Sequence, residues 1–129
     1  MTKIFLFMES ASELAGFETL LRKLGFDTVS TTREAQVSER MLGFFADLVI
    51  LPGRGGHIDG LRLAAKVRNS GYQRSLALTW PREEPHPDSD FSRVGVDGLL
   101  AYPIEPEDAL ASIAELIGQD PGALLGKFE

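Results

Sequence analysis

The sequence predicts an α/β fold, a doubly wound five-stranded parallel sheet with helices on both faces. Three observations carry that reading. Five short apolar runs alternate along the chain with segments whose apolar residues recur at helical spacing. Every connection between runs is too long for a hairpin, so consecutive strands run parallel through right-handed crossovers. The central run, Leu48-Val49-Ile50-Leu51 after Asp47, is apolar at every position, as a strand buried on both faces requires. This strand organises the chain. The Gly53-Arg54-Gly55-Gly56 that follows cannot continue it, so Pro52 stands where strand becomes loop. In an open α/β sheet that is where ligands and chemistry gather, yet proline brings no ionisable group, no nucleophile and no N–H.

Taken in order, the first strand is Ile4-Phe5-Leu6-Phe7, ending at Met8-Glu9. A helix follows, with Ser10 and Glu13 at capping-box spacing, Leu14, Phe17, Leu20, Leu21 and Leu24 at helical period, and Gly25 as the stop. Phe26 to Ser30 is a shorter second strand. Thr31 and Glu34 repeat the capping-box spacing, and Ala35, Val37, Met41, Leu42 and Phe45 predict a second helix reaching Asp47. After the central strand, Asp59-Gly60 opens a third helix, with Leu61, Ala64, Ala65 and Val67 inward, Arg62, Lys66 and Arg68 on its wet side, and Asn69-Ser70-Gly71 closing it. Leu76 to Trp80 is the fourth strand. A proline-stiffened loop, Pro81 to Pro87, leads to a short helix around Asp88 to Val94. Gly95-Val96-Asp97-Gly98 turns the chain into the fifth strand, Leu99-Leu100-Ala101. Pro106 starts the last helix among Glu105, Glu107 and Asp108, and Leu110, Ile113, Leu116 and Ile117 form its buried stripe up to Gly118.

One domain over residues 1–118 and a tail over 119–129 account for the length of 129 residues. Leu124, Leu125 and Phe128 give the tail three readings: packing back, extending the last helix, or leading into another module. Cysteine is absent, which excludes disulfides and zinc-thiolate sites and is compatible with a reducing cytoplasm. No run is long enough for a signal peptide or a bilayer span, so a soluble, cytoplasmic chain is expected. Thirteen basic against nineteen acidic residues leave a formal charge of −6, which disfavours direct binding to nucleic acid.

These fragments, in order, resemble the receiver domain of bacterial two-component response regulators over nearly all of residues 3–118. Asp47 to Leu51 is similar to the family's third strand and Asp59-Gly60-Leu61 to its loop exit. Leu78-Thr79 matches the fourth strand with its hydroxyl, Gly95-Val96-Asp97-Gly98 the approach to strand five, and Pro103 the final Xaa-Pro. The resemblance implies a flavodoxin-like three-layer sandwich of strand order 2-1-3-4-5, a role in two-component signalling or phosphorelay, and a cis Tyr102–Pro103 bond.

It also implies a phosphorylation site that these residues do not supply. Receivers accept a phosphoryl group on an Asp at the end of strand three, hold Mg²⁺ with an acidic pair after strand one, and use a Lys after strand five. The matching positions are Pro52, Met8 with Glu9, and Tyr102, while Thr79 keeps the hydroxyl and Leu99 replaces the family's aromatic switch. A thioether is a poor ligand for Mg²⁺. The chain thus reads as a degenerate pseudo-receiver, not an enzyme and with no cofactor or metal. It would act by contact with protein partners of a signalling assembly, on a face near Asp88 to Val94 and Ala101 to Ile113, and is compatible with a homodimer.

Blander readings stand beside each site residue. Glu9 suits a helix-dipole partner, Thr79 a bond to backbone, and Met8, Trp80 and Tyr102 the filling of one pocket. The alternative function is a small-anion or nucleotide sensor in which Gly53, Arg54, Gly55 and Gly56 cradle a phosphate, although no Lys-Ser or Lys-Thr follows as the Walker pattern requires. His57 and His86 lack metal-ligand spacing and read as surface histidines.

Overall fold

The computed structural model describes residues 2–41, 43–55, 58–81, 93–102 and 104–118, with the backbone alone at 54, 55, 58, 59 and 102. The main sheet holds β1 (Lys3–Phe7), β2 (Asp27–Thr31), β3 (Leu48–Pro52), β6 (Ser75–Pro81) and β7 (Gly98–Tyr102), all parallel, in the order β2-β1-β3-β6-β7. Counting only these five strands, that is the order 2-1-3-4-5 of a flavodoxin-like fold. Between β3 and β6 a small antiparallel hairpin joins β4 (Arg54–Gly55) to β5 (Ile58–Asp59). The helices are α1 (Ala11–Lys23), α2 (Val37–Met41), α3 (Gly60–Asn69) and α4 (Pro106–Ile117). The helix expected around Asp88 to Val94, the tail, and both histidines fall largely or wholly outside the described residues.

The alternation of a strand sorts the core into two layers. Ile4 and Leu6 of β1 and Leu48 and Ile50 of β3 face α1 and α4, where Phe17, Leu21, Leu110 and Ile113 complete one cluster. Phe5, Phe7, Val49 and Leu51 face the other way, onto Val37, Leu63, Ala64 and Val67 of α2 and α3. All four apolar residues of β3 are fully buried, each contributing about 1.5–3 kcal/mol by leaving water. The continuous apolar run is therefore the seam between two cores.

Helix ends follow local chemistry. The Ser10 hydroxyl accepts from the Glu13 N–H at 3.4 Å and caps α1, and α4 stops at Gly118 in the left-handed conformation, φ 73°. The second helix differs from expectation. Thr31 does not cap it but ends β2, where its hydroxyl accepts from the Arg33 N–H (3.1 Å) and donates to Gln36 Oε1 (2.9 Å). This local bonding competes with helix initiation, and a 3-10 turn, Glu34–Gln36, precedes a helix that ends at Met41 rather than Asp47. Gly43 (φ 79°) and Phe45 (φ 57°) then take left-handed conformations. For Phe45 that costs about 1–2 kcal/mol, and its ring is left 80% exposed.

Candidate functional site

The ends of β1, β3, β6 and β7 bring Met8, Pro52, Thr79 and Tyr102 to one edge of the sheet. Pro52 closes β3 directly opposite Thr79, and Pro81 pairs with Tyr102. The ladder to β6 runs one residue past Pro52: the Gly53 N–H donates to the Thr79 carbonyl at 2.8 Å. Pro52 and Gly53 are both buried, and Thr79 is 5% exposed.

Among the described residues, what lies above this edge is backbone. The helix α3 begins at Gly60, whose N–H donates to the Gly53 carbonyl at 3.2 Å. A Cβ on Gly60 would sit 2.5 Å from the Gly53 oxygen and 2.7 Å from the Pro52 oxygen. A Cβ on Gly53 would meet the Thr79 oxygen at 2.5 Å and the Trp80 ring at 2.8 Å. Two glycines are thus needed for the helix start, the strand end and an indole to stack this closely. The segment from Gly53 to Gly60 leaves and returns to the same point as the β4–β5 hairpin.

The predicted site residues are brought to one edge but not into one pocket. Met8, 4% exposed, belongs to the cluster under α1 and α4, whereas Trp80 packs against the cluster under α2 and α3. The two do not fill a shared pocket; they lie on opposite faces, because a side chain's layer follows its strand parity. Glu9 is exposed. A hard divalent cation takes oxygen ligands, and a buried thioether beside one exposed carboxylate does not fit it. Among the described residues no three His, Cys, Asp or Glu side chains are grouped to hold a metal ion. In the glycine loop, Gly53 has spent both backbone groups, and Arg54 and Gly55 pair with Asp59 and Ile58. Gly56 and Pro103, and with Pro103 the expected cis bond, lie outside the described residues.

The opposite end of the sheet carries the polar construction that sequence reading missed. Arg68 is only partly exposed: its guanidinium donates to the carbonyls of Gly95 (2.6 and 3.1 Å), Tyr72 (3.0 Å) and Arg74 (2.7 Å) and to Asp97 Oδ2 (3.0 Å). Asp97 also accepts from the Leu76 N–H at 2.9 Å, and its own N–H donates to the Leu76 carbonyl at 2.8 Å. Gly95, at φ 77°, leaves room for the Arg68 Nε that a Cβ would meet at 2.9 Å. Asp47 likewise joins β1 to β3, accepting from the Lys3 N–H at 2.8 Å and pairing with Arg74. The Gly95-Val96-Asp97-Gly98 fragment was the one sequence signal for this cluster. Beside it, Met41, Phe45, Ala46, Tyr72, Gln73 and Arg74 help line a mostly apolar groove of about 610 Å³.

No family model and no curated protein matches the sequence. Solved structures do match the fold. A chemotaxis protein of Vibrio cholerae, CheY4, superposes with a TM-score of 0.81 at 19% identity, over 90% of this chain and 98% of that one. A protein assigned to pilus assembly in Burkholderia thailandensis gives 0.75 at 23% identity, over 92% and 100%. A pilus assembly-related protein of Burkholderia pseudomallei gives 0.74 at 24%, over 92% and 91%. The fold is that of CheY-like receiver domains.

Proposed function

We propose that this chain is a receiver-like module that lacks the phosphoacceptor and works by phosphorylation-independent protein–protein contact in a signalling or regulatory assembly. One observation carries the reading: at the end of the central strand, where a receiver presents its aspartate, stands Pro52, buried and roofed by the backbone of Gly53 and Gly60. Proline offers no acceptor oxygen, and among the described residues no cationic side chain is placed beside it to neutralise a phosphoryl group. The likeness to two pilus assembly proteins supports an assembly role beside the likeness to a chemotaxis receiver. The contact face proposed is the one around residues 88–94 and 101–113, of which α4 presents exposed Glu107 and Asp108 in its first turn. Charge reversal at both should lower recovery of partners in a crosslinking screen; unchanged recovery removes the face from consideration.

The chemical test is incubation of wild type, Pro52→Asp, and the triple variant Met8→Asp, Pro52→Asp, Tyr102→Lys with a small phosphodonor and Mg²⁺, followed by intact-mass measurement. Wild type and the single variant are expected to stay unlabelled, because a phosphoryl group brings about −1.5 to −2 charges into a site with Tyr102 where a receiver has its lysine and, among the described residues, Glu9 as its exposed carboxylate. Labelling of wild type would overturn the proposal. Efficient Mg²⁺-dependent labelling of the single variant would mean that Pro52 alone silences an otherwise working site.

A further inference from the structure

The two helix layers of the sandwich carry opposite charge. On α2, α3 and the 3-10 turn before them, the exposed cations are Arg33, Arg40, Arg62 and Lys66. The anions there are exposed Glu39 and half-buried Glu34, which Arg62 already holds at 2.6 Å. On α1, α4 and the N-cap of α4, the exposed anions are Glu13, Glu105, Glu107, Asp108 and Glu115. The cations of that layer, Arg22 and Lys23, are confined to the last turn of α1, where Arg22 pairs with half-buried Glu18. Among the described residues, cations thus outnumber anions two to one on one layer, and anions outnumber cations three to one on the other.

The two layers pack on opposite sides of the sheet, so the basic and acidic faces point away from each other. A helix layer is about 10 Å thick, which with the sheet puts the two outer surfaces well over 20 Å apart. At about 0.1 M salt the Debye length is about 10 Å, so two copies that meet feel the layers facing each other more than the net charge of −6. Like faces repel and unlike faces attract. The outer side of α1 also lets a neighbour come close: Ser12, Ala15, Gly16 and Thr19 are all exposed and small. A carbon added to Gly16 would meet nothing within 4 Å, so no packing among the described residues accounts for a glycine that costs a helix about 0.5–1 kcal/mol. We infer that copies of this chain associate head to tail, the basic α2–α3 layer of one against the acidic α1–α4 layer of the next. The two patches differ, so the contact is heterologous and builds chains or rings instead of a two-fold dimer. The occupant of each face is a second copy, whatever the chemistry at Pro52.

Analytical ultracentrifugation of the full chain tests this. At about 0.1 M salt the weight-average mass should climb with concentration past that of a dimer, and about 1 M salt, where the Debye length is about 3 Å, should return it to the monomer. Two variants reverse charge at exposed positions, Arg40→Glu with Lys66→Glu on one face and Glu13→Lys with Glu115→Lys on the other. Each should lower the association constant on the order of tenfold or more. An equal mixture of the two should recover it, because one junction is then the wild-type pair of faces and the other the same pair with its charges exchanged. Glu107 and Asp108 stay in place, so this inference and the partner contact proposed above fail separately. Circular dichroism checks the fold of each variant, and glutamine at the same positions replaces any reversal that does not fold, with a smaller loss expected. A wild type that stays monomeric at its highest soluble concentration overturns the inference. So do association that persists in about 1 M salt, a mass that stops at the dimer, and a mixture that recovers nothing.

Discussion

The two ends of the sheet are built on opposite plans. At the carboxyl end, the usual place for chemistry in an open α/β sheet, Pro52, Gly53 and Gly60 pack backbone against backbone, and Met8 is drawn down into the core. At the amino end, Arg68, Asp97 and Asp47 tie the turns together through charged side chains and named carbonyls. The Gly95-Val96-Asp97-Gly98 fragment holds the scaffold at the amino end through Arg68 and Leu76, whereas Thr79 and Gly60 lie at the carboxyl end beside Pro52; on the reading proposed above, that end is the one without reactive groups.

The sharpest way to break the comparison is to disturb the closed end. Gly60→Ala places a methyl group against the Gly53 and Pro52 carbonyl oxygens, which belong to backbone and cannot swing aside. A loss of about 3 kcal/mol is expected, at the upper end of ordinary overpacking, read as a lowered urea midpoint. Gly16→Ala is the control, because nothing lies within 4 Å of its added carbon on α1; a gain of about 0.5–1 kcal/mol is expected there. If Gly60→Ala is as mild as its control, the carboxyl end is open and the pseudo-receiver geometry is wrong.

At the amino end the expected effect is smaller. Asp97→Ala removes the acceptor of the Leu76 N–H and the ion partner of Arg68, and should cost about 2 kcal/mol, the penalty for stranding a polar group away from water. Asp97→Asn keeps an oxygen for Leu76 and loses only the charge. It should cost less than half as much, since the pair is partly exposed and screened. Equal losses in the two variants would make the charge, not the strand cap, the essential part.

Most of the scaffold was legible in the sequence. The apolar run of β3, the Ser10 cap and the Gly118 stop are local signals, and each lies where its residues place it. The second helix was misread because Thr31 and Glu34 have capping spacing, but Thr31 is consumed by β2 and by Gln36. Arg68 was misassigned because helical periodicity says which side of α3 faces out, not that three carbonyls from the following turns would converge on that side. The site was legible in its residue identities alone. That Met8 and Trp80 belong to different layers depends on strand parity and register, and that the glycine loop folds into a hairpin depends on Gly53 and Gly60 meeting across it.

The smallest effect concerns Tyr72, which lines the groove and whose hydroxyl donates to the Ser75 carbonyl at 2.7 Å. Burial pushes its phenol well above the ordinary value of 10.0, with the Arg68 guanidinium, 5.4 Å from the ring centroid, opposing the shift. A raised folded-state value means that the folded chain holds a proton which the unfolded chain releases from about pH 10 upward. The stabilisation is therefore complete below pH 10 and is lost as pH rises toward the folded value, at up to about 1.4 kcal/mol per pH unit. Tyr72→Phe cannot release that proton, so its stability should fall less steeply above pH 10 than that of wild type, while at pH 7 it should be about 1 kcal/mol less stable for want of the hydrogen bond. Denaturant titrations of the two proteins from pH 7 to 11 give both quantities, since groups common to the two cancel in the difference. Coincident slopes would mean that water reaches the Tyr72 hydroxyl in the folded state. The groove would then be wet at its base, and the amino end of the sheet more open than its carboxyl end.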